Sequence, residues 1–134
     1  MGEVSLIPLQ KITGDKGSVF HIIKDPSFKI KEVYVSTVDQ NSVKGWKKHL
    51  KMTLNLVVIK GDVKFTIKKN SKTYQYVIGD SNYCRLVVAP KCWVCFEGVG
   101  EENIIINCAD LEHVPSETEI KPFEGYDENI SNRL

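Results

Sequence analysis

Four lysines crowd one histidine: Lys44, Lys47, Lys48 and Lys51 surround His49 in and just after the run Lys44-Gly45-Trp46-Lys47-Lys48-His49. Read as a strand, the run puts Lys44, Trp46 and Lys48 on one face and Gly45, Lys47 and His49 on the other. If the second face lines an interior, Lys47 and His49 stand side by side. Desolvation and like charge then both disfavour their protonated forms, which makes a usable acid/base pair. Most lysines point to solvent, so spacing alone leaves either orientation open.

The two other histidines, His21 and His113, lie in or at the end of β-like segments. A histidine so placed is more often a half-exposed surface or satisfied core residue than a ligand, and His113 is read that way. The C-x-x-C run Cys92-Trp93-Val94-Cys95 could bind zinc only with Cys108 and His113 as further ligands. There is no second knuckle of regular spacing, and strand alternation sends Cys92 and Cys95 to opposite faces, so buried thiols acting as small hydrophobes are expected. Tyr34, Trp46, Asn55, Tyr83, Trp93 and Phe96 supply aromatic and amide groups in the same segments. Most would pack in the core, yet aromatics with a few amides also suit a base and a sugar.

The elements that must carry these residues show a period of two. Val63, Phe65 and Ile67 alternate with Asp62, Lys64, Thr66 and Lys68, while Leu54 to Ile59 forms a second strand joined to it by Lys60-Gly61-Asp62, read as a hairpin. Further strands are expected at Ser18 to Ile23, Glu32 to Thr37, Thr73 to Ile78, Arg85 to Val88, Cys92 to Phe96 and Asn103 to Cys108, separated by Gly-, Pro-, Asn- and Asp-bearing turns. Without a stripe at the helical period, this is an all-β sandwich or barrel. From residue 115 the chain turns irregular and acidic, so residues 1–114 are assigned to one domain and 115–134 to a tail that packs on the barrel or a partner subunit, or frays.

Composition bounds the partners. With 18 Lys+Arg against 17 Asp+Glu in 134 residues, the net charge is +1, which argues against a polybasic nucleic-acid binder. No apolar run approaches the ~20 residues of a membrane span, and the N-terminus lacks a signal-peptide pattern. A cytoplasmic chain with reduced thiols is expected.

The motif order Asp15-Lys16-Gly17-Ser18-Val19-Phe20-His21, the Lys44 to His49 run, Gly61, Asn82-Tyr83-Cys84-Arg85-Leu86-Val87-Val88-Ala89-Pro90 and Trp93-Val94-Cys95-Phe96-Glu97-Gly98 resembles cupins of the dTDP-4-dehydrorhamnose 3,5-epimerase family. In length especially it is similar to the nucleotide-sugar 3,4-ketoisomerases of the same superfamily. The resemblance covers about residues 10–120 and implies a jelly-roll barrel, a homodimer, and proton abstraction beside the ketone of a 4-keto-6-deoxyhexose nucleotide, most naturally dTDP-linked. It implies His49 as base or its partner and Lys47, at the epimerases' histidine position, as second acid/base or enolate-stabilising cation. It places Lys16 and Lys44 where the family's diphosphate-binding arginines stand, and His21 where epimerases have a glutamate. The epimerase tyrosine falls near Ile106 or Asn107, leaving Tyr34 or Tyr83 as possible donors. Trp46, Asn55, Tyr83, Arg85, Trp93 and Phe96 complete the expected substrate-binding set. Metal-binding cupins present His-x-His, Glu and a late His; here Lys47, His49, Thr53 or Leu54, and Val94 or Cys95 fall there, so no metal or cofactor is expected. Two other classes fit: a degenerate cupin that binds a sugar nucleotide or pathway partner without turnover, and a structural β-domain.

Overall fold

The computed structural model describes residues 2–121. Alternation of apolar and polar residues resolves into twelve strands: β1 (Val4–Pro8), β2 (Lys11–Gly14), β3 (Gly17–Phe20), β4 (Glu32–Thr37), β5 (Val43–His49), β6 (Leu54–Lys60), β7 (Asp62–Lys69), β8 (Lys72–Gly79), β9 (Cys84–Val88), β10 (Trp93–Gly98), β11 (Ile104–Ala109) and β12 (Thr118–Ile120). Two antiparallel five-stranded sheets form, in the orders β1-β9-β6-β11-β4 and β12-β5-β10-β7-β8, while β2 and β3 make a separate hairpin. This is the all-β jelly roll expected from the sequence.

The inward rows of the two sheets meet in one core. Leu54, Leu56, Val58, Leu86, Val88 and Ile105 face Val63, Phe65, Ile67, Ile78 and Val94, all buried. Each such side chain contributes roughly 1.5–3 kcal/mol by leaving water.

The Lys60-Gly61-Asp62 turn is not a hairpin. The strands it joins belong to different sheets, so it carries the chain across the sandwich. Gly61 sits at φ 77°, and a Cβ there would lie 2.1 Å from the Glu102 carbonyl oxygen. Only glycine fits both the backbone and the space.

Residues 115–121, read as the start of the tail, are part of the sandwich. Pro115–Glu117 forms a single 3₁₀ turn and β12 pairs with β5, Thr118 opposite His49 and Ile120 opposite Lys47. The acidic residues beyond 121 lie outside the described residues. Among those described, no helix is long and apolar enough to cross a membrane.

Candidate functional site

A β-bulge decides what β5 presents to the interior. Val94 pairs with Lys47 and Phe96 with Lys44, so Cys95 faces two residues, Gly45 and Trp46. The extra residue shifts the alternation, and Lys44, Lys47 and His49 all reach one cavity. Strict alternation would have put Lys44 on the opposite face. Gly45 makes the bulge possible, since a Cβ there would lie 2.1 Å from the Cys95 Cβ.

The cavity between the sheets has a volume of about 280 Å³. Leu54, Leu56, Phe65, Val94, Phe96 and Ile105 form its apolar wall; Tyr34, Ser36 and Asn107 add polar groups, and Lys44 and Lys47 bring cations. No carboxylate lines it among the described residues, so it favours an anionic or electron-rich guest.

His49 is buried, and its Nδ1 lies 2.6 Å from Glu117 Oε1. The other carboxylate oxygen accepts the backbone N–H groups of Lys51 (2.9 Å) and Met52 (3.1 Å). Burial alone would raise the Glu117 pKa, but those donors and His49 outweigh it and hold the carboxyl below its usual range. Burial, with smaller contributions from Lys47 and His113, keeps His49 below the ordinary histidine value despite the Glu117 bond. A neutral imidazole therefore donates from Nδ1 to the carboxylate and leaves Nε2 as the basic nitrogen.

Tyr34 stands opposite Asn107 across β4 and β11. The Asn107 amide donates to the Tyr34 hydroxyl at 2.9 Å, and burial raises the phenol pKa, so the hydroxyl stays protonated. His113 is exposed; its ring centre lies 6.2 Å from that of Tyr34 and 6.1 Å from that of His49.

The sequence-predicted set separates into two groups. Tyr34, Lys44, Lys47, His49 and Phe96 share the cavity. Trp46, Asn55, Arg85, Trp93, Tyr83, His21 and Lys16 do not line it. Asn55 sits between the inward Leu54 and Leu56, so the period of two turns it outward, where its Oδ1 accepts from Arg85 Nη1 at 2.5 Å. Trp46 and Trp93 face away on the other sheet, Trp46 beneath Lys68 and Trp93 beneath Lys48 and Lys121, with each Nζ 4.4–5.2 Å from its ring centre. Tyr83 donates to the His21 carbonyl at 2.9 Å and packs edge-on to Phe20. Lys16 lies in the exposed turn between β2 and β3.

Glu117, Asn107 and Ser36 were missed. Glu117 falls in a segment without periodicity, among other acids of the same appearance. Asn107 and Ser36 sit at alternate positions of recognised strands, but spacing does not say which alternate faces a cavity. The donor trio His49, His113 and Glu117 has all its candidate ligand atoms within 4.8 Å of one another. Bonds of 2.0–2.1 Å in a tetrahedral site would separate ligand atoms by about 3.4 Å. The 2.6 Å His49–Glu117 contact is a hydrogen bond, too short to be the edge of such a site.

The two-sheet jelly roll with its cavity between the sheets places the chain among the cupin folds. Residues 2–126 match the model of the family described as FdtA: WxcM-like, C-terminal, and the chain belongs to that family. Among solved structures, a dTDP sugar isomerase from Desulfovibrio desulfuricans G20 is 28% identical with a TM-score of 0.84, over 91% of this chain and 85% of that one. The sugar 3,4-ketoisomerase QdtA from Thermoanaerobacterium thermosaccharolyticum, crystallised with TDP, is 22% identical with a TM-score of 0.77, over 98% and 94%. The rmlC epimerase of Mycobacterium tuberculosis has a TM-score of 0.80 at 11% identity, over 96% and 72%. The latter two likenesses concern the fold. No curated protein matches the chain.

Proposed function

We propose that this protein isomerises a nucleotide-linked 4-keto-6-deoxyhexose by moving a proton beside the ketone, as a 3,4-ketoisomerase rather than a 3,5-epimerase. The observation that carries the reading is the buried His49–Glu117 pair opening into a cavity that also holds Lys47 and Tyr34. The 4-ketone acidifies the C3–H bond. Neutral His49 takes that proton through Nε2, and Glu117 stabilises the imidazolium formed. Electron density moves onto O4, where the Lys47 cation and the Tyr34 hydroxyl offset the charge of the enediolate. Returning that proton to C4, with the O3 proton passed to O4, leaves a 3-ketone and a 4-hydroxyl.

The family match and the dTDP sugar isomerase likeness support the substrate class. Coverage of both chains is fuller for the ketoisomerase than for the epimerase, which favours ketoisomerisation. At about 280 Å³ the cavity lies just below the ~300–1,000 Å³ of small-molecule sites. It suits one sugar ring, with the nucleotide outside and Lys44 at the rim for the diphosphate. The dTDP nucleotide remains our choice, with the chain acting in the cytoplasm in polysaccharide or antigen biosynthesis and requiring no cofactor.

A homodimer belongs to the same reading. Among the described residues the β2–β3 hairpin pairs with no other strand, and it exposes Ile12 (48%) and Val19 (58%). On β4, Val33 and Val35 are also more than half exposed. Two copies could cover these surfaces, with Lys16 carried toward the partner on the hairpin turn; sedimentation of the wild type against Ile12→Glu/Val19→Glu tests this.

The functional test is NMR observation of dTDP-4-keto-6-deoxyglucose incubated with wild type and His49→Asn, with calorimetry alongside. Conversion to the 3-keto isomer by wild type alone supports the reading. Tight binding without conversion by wild type identifies a binding module instead.

A further inference from the structure

We infer that His113 is a proton relay between the buried His49–Glu117 pair and bulk water, an inference that rests on the isomerase reading for its catalytic consequence. The reaction asks more of its acid/base groups than one transfer: a carbon proton moves, O3 loses a proton and O4 gains one. His49 is only 7% exposed, and the wall beside it is largely apolar, so its protons need a route.

His113 supplies one by position. It is exposed, its ring meets those of His49 and Tyr34 edge-on, and its backbone N–H is fixed by Glu32 Oε1 at 2.7 Å. Its ring nitrogen, a ring nitrogen of His49 and a Glu117 oxygen lie within 4.8 Å of one another. Two hydrogen bonds of about 2.8 Å, meeting at a water's angle, span about 4.6–4.8 Å. At the outer limit of that spacing one bridging water fits between His113 and the pair. In the relay, a proton leaves the His49–Glu117 pair for the water, which gives its own proton to the His113 ring; His113 exchanges it with solvent, and the same path returns a proton to the pair for delivery to C4. Only N–H and O–H bonds are made or broken.

Because His113 is exposed, an added base can take its place. In His113→Gln, kcat for the keto sugar falls about tenfold, a modest share of the ~10²–10⁴-fold range of acid/base catalysis. KM stays unchanged, and imidazole buffer restores turnover in a concentration-dependent way. The free protein gives a second readout: the His49 ring N–H, followed by ¹⁵N NMR, exchanges several-fold more slowly with water in His113→Gln. Unchanged turnover and unchanged exchange in the folded variant overturn the relay. If wild type converts no keto sugar, the isomerase reading fails, and the ring N–H exchange alone decides whether His113 relays protons.

Discussion

Replacing Glu117 by glutamine removes one charge and leaves one acceptor oxygen where there were two. That oxygen can still serve the Lys51 and Met52 N–H groups, now at 2.9 and 3.1 Å, which leaves the amide NH₂ facing His49 Nδ1. The ring must then accept at Nδ1 and carry its proton on Nε2, the nitrogen the mechanism needs bare. Losing a charge-assisted bond removes about 1.5–3 kcal/mol, or about ten- to a hundredfold in rate at 1.36 kcal/mol per decade. A wrong tautomer can bring the loss to about 10⁴-fold. We expect kcat for Glu117→Gln to fall at least about a hundredfold with KM within about threefold, measured by NMR or chromatography of the product, while urea melts show a destabilisation of no more than about 1.5–3 kcal/mol and a protein that is still folded. A variant within threefold of wild-type kcat would refute the reasoning. A loss of activity that tracks a loss of folded protein would reassign Glu117 to stability alone.

Other consequences are equally direct. Gly45→Ala puts a Cβ into the Cys95 Cβ; β5 and β10 must part, at about 1–3 kcal/mol, and chemical denaturation should show that loss together with weaker nucleotide-sugar binding as Lys44 and Lys47 shift. All four cysteines are buried with thiol pKa values raised by burial, Cys95 to about 12, so a thiol reagent at pH 8 should label none in the native protein and four after denaturation. Stability should fall toward acid in two stages. As pH drops below about 6.5 the unfolded chain protonates its histidine before His49, whose folded value is lowered. Below about 4.3 it protonates its carboxylates before Glu117, also lowered. Urea melts at pH 8, 6 and 4 check both stages.

The sandwich was legible because side chains on a half-buried strand alternate, and Glu32–Thr37 and Asp62–Lys69 carry that alternation cleanly. β1, β2 and β12 are three to five residues long, too short for a period to emerge. The sheet crossing at Gly61 looked like a hairpin because both turns need the same residue. In the site, the Lys47–His49 pairing followed from alternation, but Lys44 joined them only through a bulge set by Gly45 and Cys95, two residues fifty positions apart. Glu117 reached His49 because β12 adds to the edge of β5, a tertiary pairing that no local pattern announces. Asn55 and Arg85 were misplaced for the opposite reason: their chemistry suited a ligand, while their strand position sent them to the outer face.

The central claim is that His49 removes a carbon-bound proton beside a sugar ketone. Incubating the protein with dTDP-4-keto-6-deoxyglucose in D₂O and reading the sugar by NMR tests it directly. The account predicts deuterium at carbons flanking or derived from the ketone with wild type and none with His49→Asn; an unlabelled, unconverted sugar in a protein that binds it would contradict the account.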